Sequence, residues 1–199
     1  MKKNLLWATE IYSFKSDNID NDKIKEILLE KEKSESGRSL SNVGGWQSED
    51  TILEEDGFSG IKDFLFECVS SIKNEIYIDD VKFFLAQSWA SVNRNGHYNV
   101  NHDHGNSQWS CAYYVTETYS APIYFTDPRM RATMCAVSDL QKNPYSYNIG
   151  PEKNEPGDAI FFPSWLEHSV ANNLTDNPRI SISCNFVLHD GNNLLQVTG

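Results

Sequence analysis

The chain has 199 residues, 39% hydrophobic and 12% aromatic, enough to bury one core without help from a partner. Its formal charge of −11 argues against general affinity for nucleic acid or anionic membranes, whose binders present net basic surface, though a local basic groove stays open. No apolar stretch approaches the ~20 residues of a membrane span.

Residues 1–7 imitate a signal peptide, but the apolar run is short and meets Thr9 and Glu10, so it is read as part of a cytoplasmic protein. Residues 5–14 read as a strand. Residues 17–33 place Ile19, Ile24, Ile27 and Leu28 among charges, a helical pattern. Residues 37–50 read as a loop centred on Gly44, Gly45 and Trp46. There Trp46 and Gln47 are either a lid contacting substrate or, for Trp46, an anchor on the core. Residues 58–76 carry Ile61, Phe64, Leu65, Cys68, Val69 and Ile72 at helical spacing, predicting an amphipathic helix packed on a sheet.

From residue 81 the pattern changes to short aromatic and β-branched runs at 82–92, 110–115, 123–125, 145–149, 159–162 and 179–188, divided by Gly, Pro and Asn. This predicts a mainly β, α+β protein: one domain over 1–199, with a helical support (1–80) buttressing a jelly-roll core (81–199). Cys68, Cys111, Cys135 and Cys184 lack Cys-x-x-Cys spacing and read as reduced, mostly buried thiols.

The chemistry concentrates in four residues. His102 and His104 are two apart, so on an extended segment they share one face while Asp103 points away. Asp103 would otherwise be the natural acidic ligand, but the parity favours His104 as the third metal ligand beside His102 and His168, with Asp103 kept as the alternative. His168 follows a Pro156-Gly157 turn signal and an apolar strand. Arg179 lies eleven residues further on, ahead of Ser181. A close histidine pair with one distant histidine can fill one face of a first-row metal. An arginine aimed into a barrel is costly unless it meets an anion, a structural carboxylate or a ligand. His97 and His189 read as surface or supporting residues.

Residues 41–48, His102 to His104 with 109–115, 156–168 and 179–186 together resemble the iron(II)/2-oxoglutarate-dependent oxygenases, and within them a phage and marine-bacterial group with a His-x-His…His motif. The resemblance implies a double-stranded β-helix, with His102 and His168 as iron(II) ligands. It also implies Arg179, assisted by Ser181, on the distal carboxylate of 2-oxoglutarate. Tyr114 matches a tyrosine that bonds the same carboxylate, in preference to Tyr113, and Asn93 stands where a polar co-substrate contact is placed. Most of that superfamily has a carboxylate where this chain has His104, which makes the site more positive by one charge. Asp103 could then orient a ligand histidine from behind. The implied reaction is oxidative decarboxylation to succinate and CO2 coupled to hydroxylation of an unknown primary substrate, a peptide, protein or small molecule. The residues 119–131 could line its entrance. A homodimer is compatible with this reading, as is a host-cell cytoplasm if a phage encodes the chain. Two alternatives are a three-histidine dioxygenase without 2-oxoglutarate, which needs no arginine clamp, and a non-catalytic jelly-roll binding module.

Overall fold

A computed structural model describes residues 2, 8–77, 81–129, 148–149 and 154–189, with side chains at 148–149 excepted. Two antiparallel sheets face each other. The larger contains β1 (Tyr12–Lys15), β3 (Trp46–Gln47), β4 (Lys82–Asn93), β6 (Trp109–Tyr114), β9 (Asp158–Pro163) and β11 (Arg179–His189), in the order β1-β9-β6-β11-β4-β3. The smaller contains β2 (Asn42–Val43), β5 (Tyr98–His102), β7 (Ile123–Thr126), β8 (Asn148–Ile149) and β10 (His168–Val170), in the order β2-β5-β10-β7-β8. This is the double-stranded β-helix, with chain crossing repeatedly between the two sheets.

The predicted helices form as α1 (Asn21–Ser34) and α2 (Ser59–Ile76). Asp20 caps α1 by accepting from the Lys23 N–H at 3.1 Å, and Asp22 and Lys31/Lys33 complement the dipole at its two ends. Helix α2 buries Ile61, Leu65, Cys68, Val69 and Ile72, the stripe its sequence spacing predicts. Both helices help cover the outer face of the larger sheet, where Ala90, Val92, Cys111, Tyr113, Phe161, Ile180, Ile182, Cys184 and Phe186 form one continuous core with them.

Residues 37–50 were expected as a loop. Their two short strands differ from that: β3 extends the larger sheet beside β4, and β2 extends the smaller one beside β5. Gly44 and Gly45 make the crossing. Gly44 has φ +80°, and a Cβ on Gly45 would overlap Asn93 Oδ1. Trp46 is an anchor rather than a lid: its ring is buried in the outer core and its indole N–H donates to the Glu35 carbonyl at 3.3 Å. The N-terminal third is therefore not helical support alone, since it also supplies β1, β2 and β3.

Other boundaries shift by a few residues. The expected strand at 5–14 is shorter and later, β1 at 12–15, with 8–11 outside any strand and 5–7 outside the described residues; that at 145–149 appears as β8, with 145–147 outside the described residues. Pro156-Gly157 is a turn closed by Asp158 N–H donating to Glu155 C=O at 3.1 Å, with Gly157 at φ +92° as a type II turn requires. Cys68, Cys111 and Cys184 are free and buried, and Cys135 lies outside the described residues. Among the described residues no helix is long and apolar enough to cross a membrane.

Candidate metal centre

His102 closes β5 and His168 opens β10, and the two are directly paired across the smaller sheet. Paired residues on neighbouring strands project to the same side, so their rings meet at 4.3 Å between centroids. His104, two residues past His102, completes the group at 5.0 Å from His102 and 5.1 Å from His168. One nitrogen from each ring lies within 4.8 Å of the others. His104 is held in place by its own backbone, which donates from N–H to the Ser164 carbonyl at 2.9 Å and accepts from Ser107.

The tautomers follow from the neighbours. Nδ1 of His102 is 2.8 Å from the Val100 carbonyl, and Nδ1 of His168 is 3.0 Å from that of Leu166. A carbonyl only accepts, so both Nδ1 atoms carry the proton and each Nε2 lone pair is free for a metal. Burial, reinforced by the other rings, pushes His168 down to about 3 and His104 down to about 4. Burial also lowers His102, against the pull of the Val100 carbonyl. Three neutral imidazoles are the protonation state metal binding requires. Asp103 is exposed and outside the group, and its carboxylate accepts from the Gly105 N–H at 3.1 Å instead of from a histidine ring.

On the larger sheet, β11 points Arg179, Ser181 and Ser183 into the space between the sheets. Their cross-strand partners on β4, Asn93, Ser91 and Trp89, share that face, as do Tyr114 and Ala112 on β6. Arg179 is 4% exposed. Its Nε donates to the Ala121 carbonyl at 2.9 Å and one terminal nitrogen to Ser181 Oγ at 3.1 Å. Among the described residues no carboxylate pairs with it. Its guanidinium carbon lies 5.5 Å from the centre of the Tyr114 ring, and burial lowers its pKa. The Tyr114 hydroxyl is fully buried beside that cation, and among the described residues it makes no well-formed hydrogen bond to it or to any other group. Tyr113 faces the opposite way: its ring packs edge-on against Phe64 and its hydroxyl donates to Asn21 at 2.7 Å.

Asn93 shares the Arg179 row but is knitted into the sheets. Its amide N–H donates to Asn99 Oδ1 at 2.9 Å, Asn99 in turn donates to Ser41, and Asn93 Oδ1 abuts Gly45 without a partner among the described residues. His97 accepts from the Arg94 N–H at 3.0 Å, and His189 packs edge-on against Phe84, so both stand apart from the cluster. Of the expected entrance segment, residues 130–131 lie outside the described part, and Arg129 is clamped to Asp127 at 2.8 Å.

A cavity of about 430 Å³ opens beside His102 and His104, with Gln47 and Trp89 on its wall. The Trp89 ring sits 5.4 Å from that of His104. Its place in the site was not read from the sequence, although the alternation Trp89, Ser91, Asn93 on one strand face carries the signal.

The donor set suits a first-row metal, and the unpaired Arg179 beside an unsatisfied Tyr114 hydroxyl suits an anion with oxygen acceptors. Residues 87–185 match the family described as "Putative 2OG-Fe(II) oxygenase". No curated protein matches the chain by sequence. Similar solved structures include HygX from Streptomyces hygroscopicus with nickel, 2-oxoglutarate and hygromycin B bound, at TM-score 0.62 and 10% identity over 89% of this chain and 82% of that one. The alpha-ketoglutarate-dependent carbocyclase SnoK from nogalamycin biosynthesis has the same TM-score, 0.62, and 10% identity, over 89% and 79%. A Pseudomonas putida prolyl-4-hydroxylase has TM-score 0.57 and 11% identity, over 89% and 92%. Over residues 87–185 the chain therefore matches the 2OG-Fe(II) oxygenases, a match that names iron(II) as the metal and 2-oxoglutarate as the co-substrate.

Proposed function

We propose that the protein is a 2-oxoglutarate-dependent dioxygenase, hydroxylating a primary substrate with release of succinate and CO2. His102, His104 and His168 would hold iron(II) through Nε2. Arg179, Ser181 and Tyr114 would hold the distal carboxylate of 2-oxoglutarate. The observation that carries this reading is the buried Arg179 guanidinium without a carboxylate partner, set beside the unsatisfied Tyr114 hydroxyl on the face that meets the three imidazoles. A buried cation left unpaired by the protein is costly, and an anionic ligand resolves it. When bound, iron(II) supplies the activation of oxygen that makes the co-substrate lose CO2.

The chain's own residues then have distinct tasks. The Val100 and Leu166 carbonyls fix two imidazoles with their lone pairs turned inward. Arg179 supplies a planar fork that matches a carboxylate, and Tyr114 adds one O–H donor. Phe125, Phe162 and Leu166, packed beside Tyr114 between the sheets, exclude water there. The unpaired arginine also disfavours a three-histidine dioxygenase that has no use for a carboxylate clamp.

Anaerobic addition of Fe(II) and then 2-oxoglutarate should produce a weak visible charge-transfer band, and oxygen should then yield succinate. His168→Ala should remove most metal binding and Asp103→Ala should retain it. Loss of iron in Asp103→Ala with retention in His104→Ala would reverse the ligand assignment. Absence of succinate with both iron and 2-oxoglutarate bound and substrate candidates supplied would favour a binding role.

A further inference from the structure

The cavity beside His102 and His104 contains polar groups that the metal and the co-substrate do not use. Gln47 is 3% exposed and lines the cavity, yet its side-chain amide has no hydrogen-bond partner among the described residues. Its backbone explains why it stays there: β3 pairs Gln47 with Ser91, and the Gln47 carbonyl accepts from the Arg38 N–H at 2.8 Å. Ser181 is two strands away, roughly 10 Å at the usual strand spacing, so Gln47 lies on the far wall from the arginine. The half-buried indole of Trp89 is on the same wall, its N–H likewise without a partner among the described residues, and its ring adjoins that of His104. Because the Gln47 amide atoms are not among the fully buried polar atoms left without a partner, the carboxamide opens onto the cavity, where a ligand can replace water at both its donor and its acceptor.

Charge restricts that ligand further. Arg38 is the cation among the cavity's described residues, and it is engaged by Asp50 at 3.2 Å and by Glu49 at 3.8 Å. Asp103 adds a second lining carboxylate, its Oδ1 turned to the Gly105 N–H. The rim therefore carries excess negative charge, which repels an anionic group entering a partly desolvated space.

We propose that Gln47 and Trp89 form the primary-substrate subsite, where Trp89 stacks on a planar or ring-shaped group and Gln47 bonds an amide-like donor–acceptor edge, selecting uncharged or cationic substrates over anionic ones. That this ligand is the primary substrate rests on the three histidines being the iron site. The binding itself does not.

Three probes of one shape test it: benzamide, benzamidine and benzoate, titrated into the full-length, metal-free protein while the Trp indole N–H signals are followed by NMR, with Trp89 assigned from Trp89→Phe. Benzamide and benzamidine should shift the Trp89 signal, and benzoate should bind at least about fivefold more weakly. Gln47→Leu should weaken benzamide by about fivefold, and Gln47→Glu should turn preference towards benzamidine. Matching amide spectra of the variants show that the fold is kept. With Mn(II) bound at the histidines, the benzamide protons should broaden. Benzoate binding as well as benzamide, unchanged benzamide affinity in a folded Gln47→Leu, no shift of Trp89, or no broadening with Mn(II) bound would each overturn the proposal. Failure of Mn(II) to bind would instead count against the iron site and leave the metal-free titrations as the test of the subsite.

Discussion

The two faces of the larger sheet come from the same strands and could hardly differ more. Along β11, Ile180, Ile182, Cys184 and Phe186 face the helices, while Arg179, Ser181, Ser183 and Asn185 face the smaller sheet. The outer face is a dense apolar layer. The inner face holds an arginine without a carboxylate, a tyrosine hydroxyl without a partner and a serine–asparagine network in which Ser110 joins Ser164 and Asn185 at 2.8 Å each. One face contributes stability and the other retains unsatisfied polar groups at some expense of it, the division expected where a rigid element carries a site.

If that division holds, outer-face changes should affect folding and inner-face changes should affect ligands. The largest effect is expected for Phe186→Ala. Phe186 is fully buried and packs against Phe66, Phe83 and Phe161. Its truncation should cost about 3–5 kcal/mol in urea denaturation, with iron stoichiometry kept wherever the protein remains folded. Arg179→Met should do the reverse. Affinity for 2-oxoglutarate, read from the charge-transfer band, should fall by about 2–4 kcal/mol, while stability of the ligand-free protein holds or rises because a buried unpaired cation is gone. Arg179→Lys should recover little affinity, since an ammonium lacks the fork.

Gly45→Ala tests the joint between the faces. Its Cβ would press on Asn93 Oδ1, so a loss of about 1–3 kcal/mol is expected in thermal melting. Tyr114→Phe is the mildest. Removing a buried hydroxyl that has no partner should leave stability nearly unchanged, whereas 2-oxoglutarate binding should weaken by about 1 kcal/mol. A Tyr114→Phe protein that is clearly destabilised would mean that the hydroxyl serves the fold.

Much of this was legible beforehand because it depends on local periodicity. The stripe of α2 follows from a 3.6-residue repeat. The convergence of His102 and His104, with Asp103 turned out, follows from strand alternation over three residues. The 37–50 segment was not legible. Its strands are two residues long and exist because β4 and β5 offer free edges, and no periodicity can be read from two residues. Trp89 was missed because an aromatic residue in a β-rich run looks the same whether it faces a core or a cavity.

The sequence by itself determined which side chains could do chemistry and, through alternation, which neighbours share a face. Tertiary structure decided what they meet. His168 faces His102 only because β10 lies beside β5, and Arg179 lacks a carboxylate only because none of the described acidic residues is brought to it across the barrel. Gln47 stands on the cavity wall only because β3 adds to the edge of the larger sheet. Strand order, burial and the satisfaction of polar groups depend on contacts between residues far apart in the chain, and local patterns do not encode those distances.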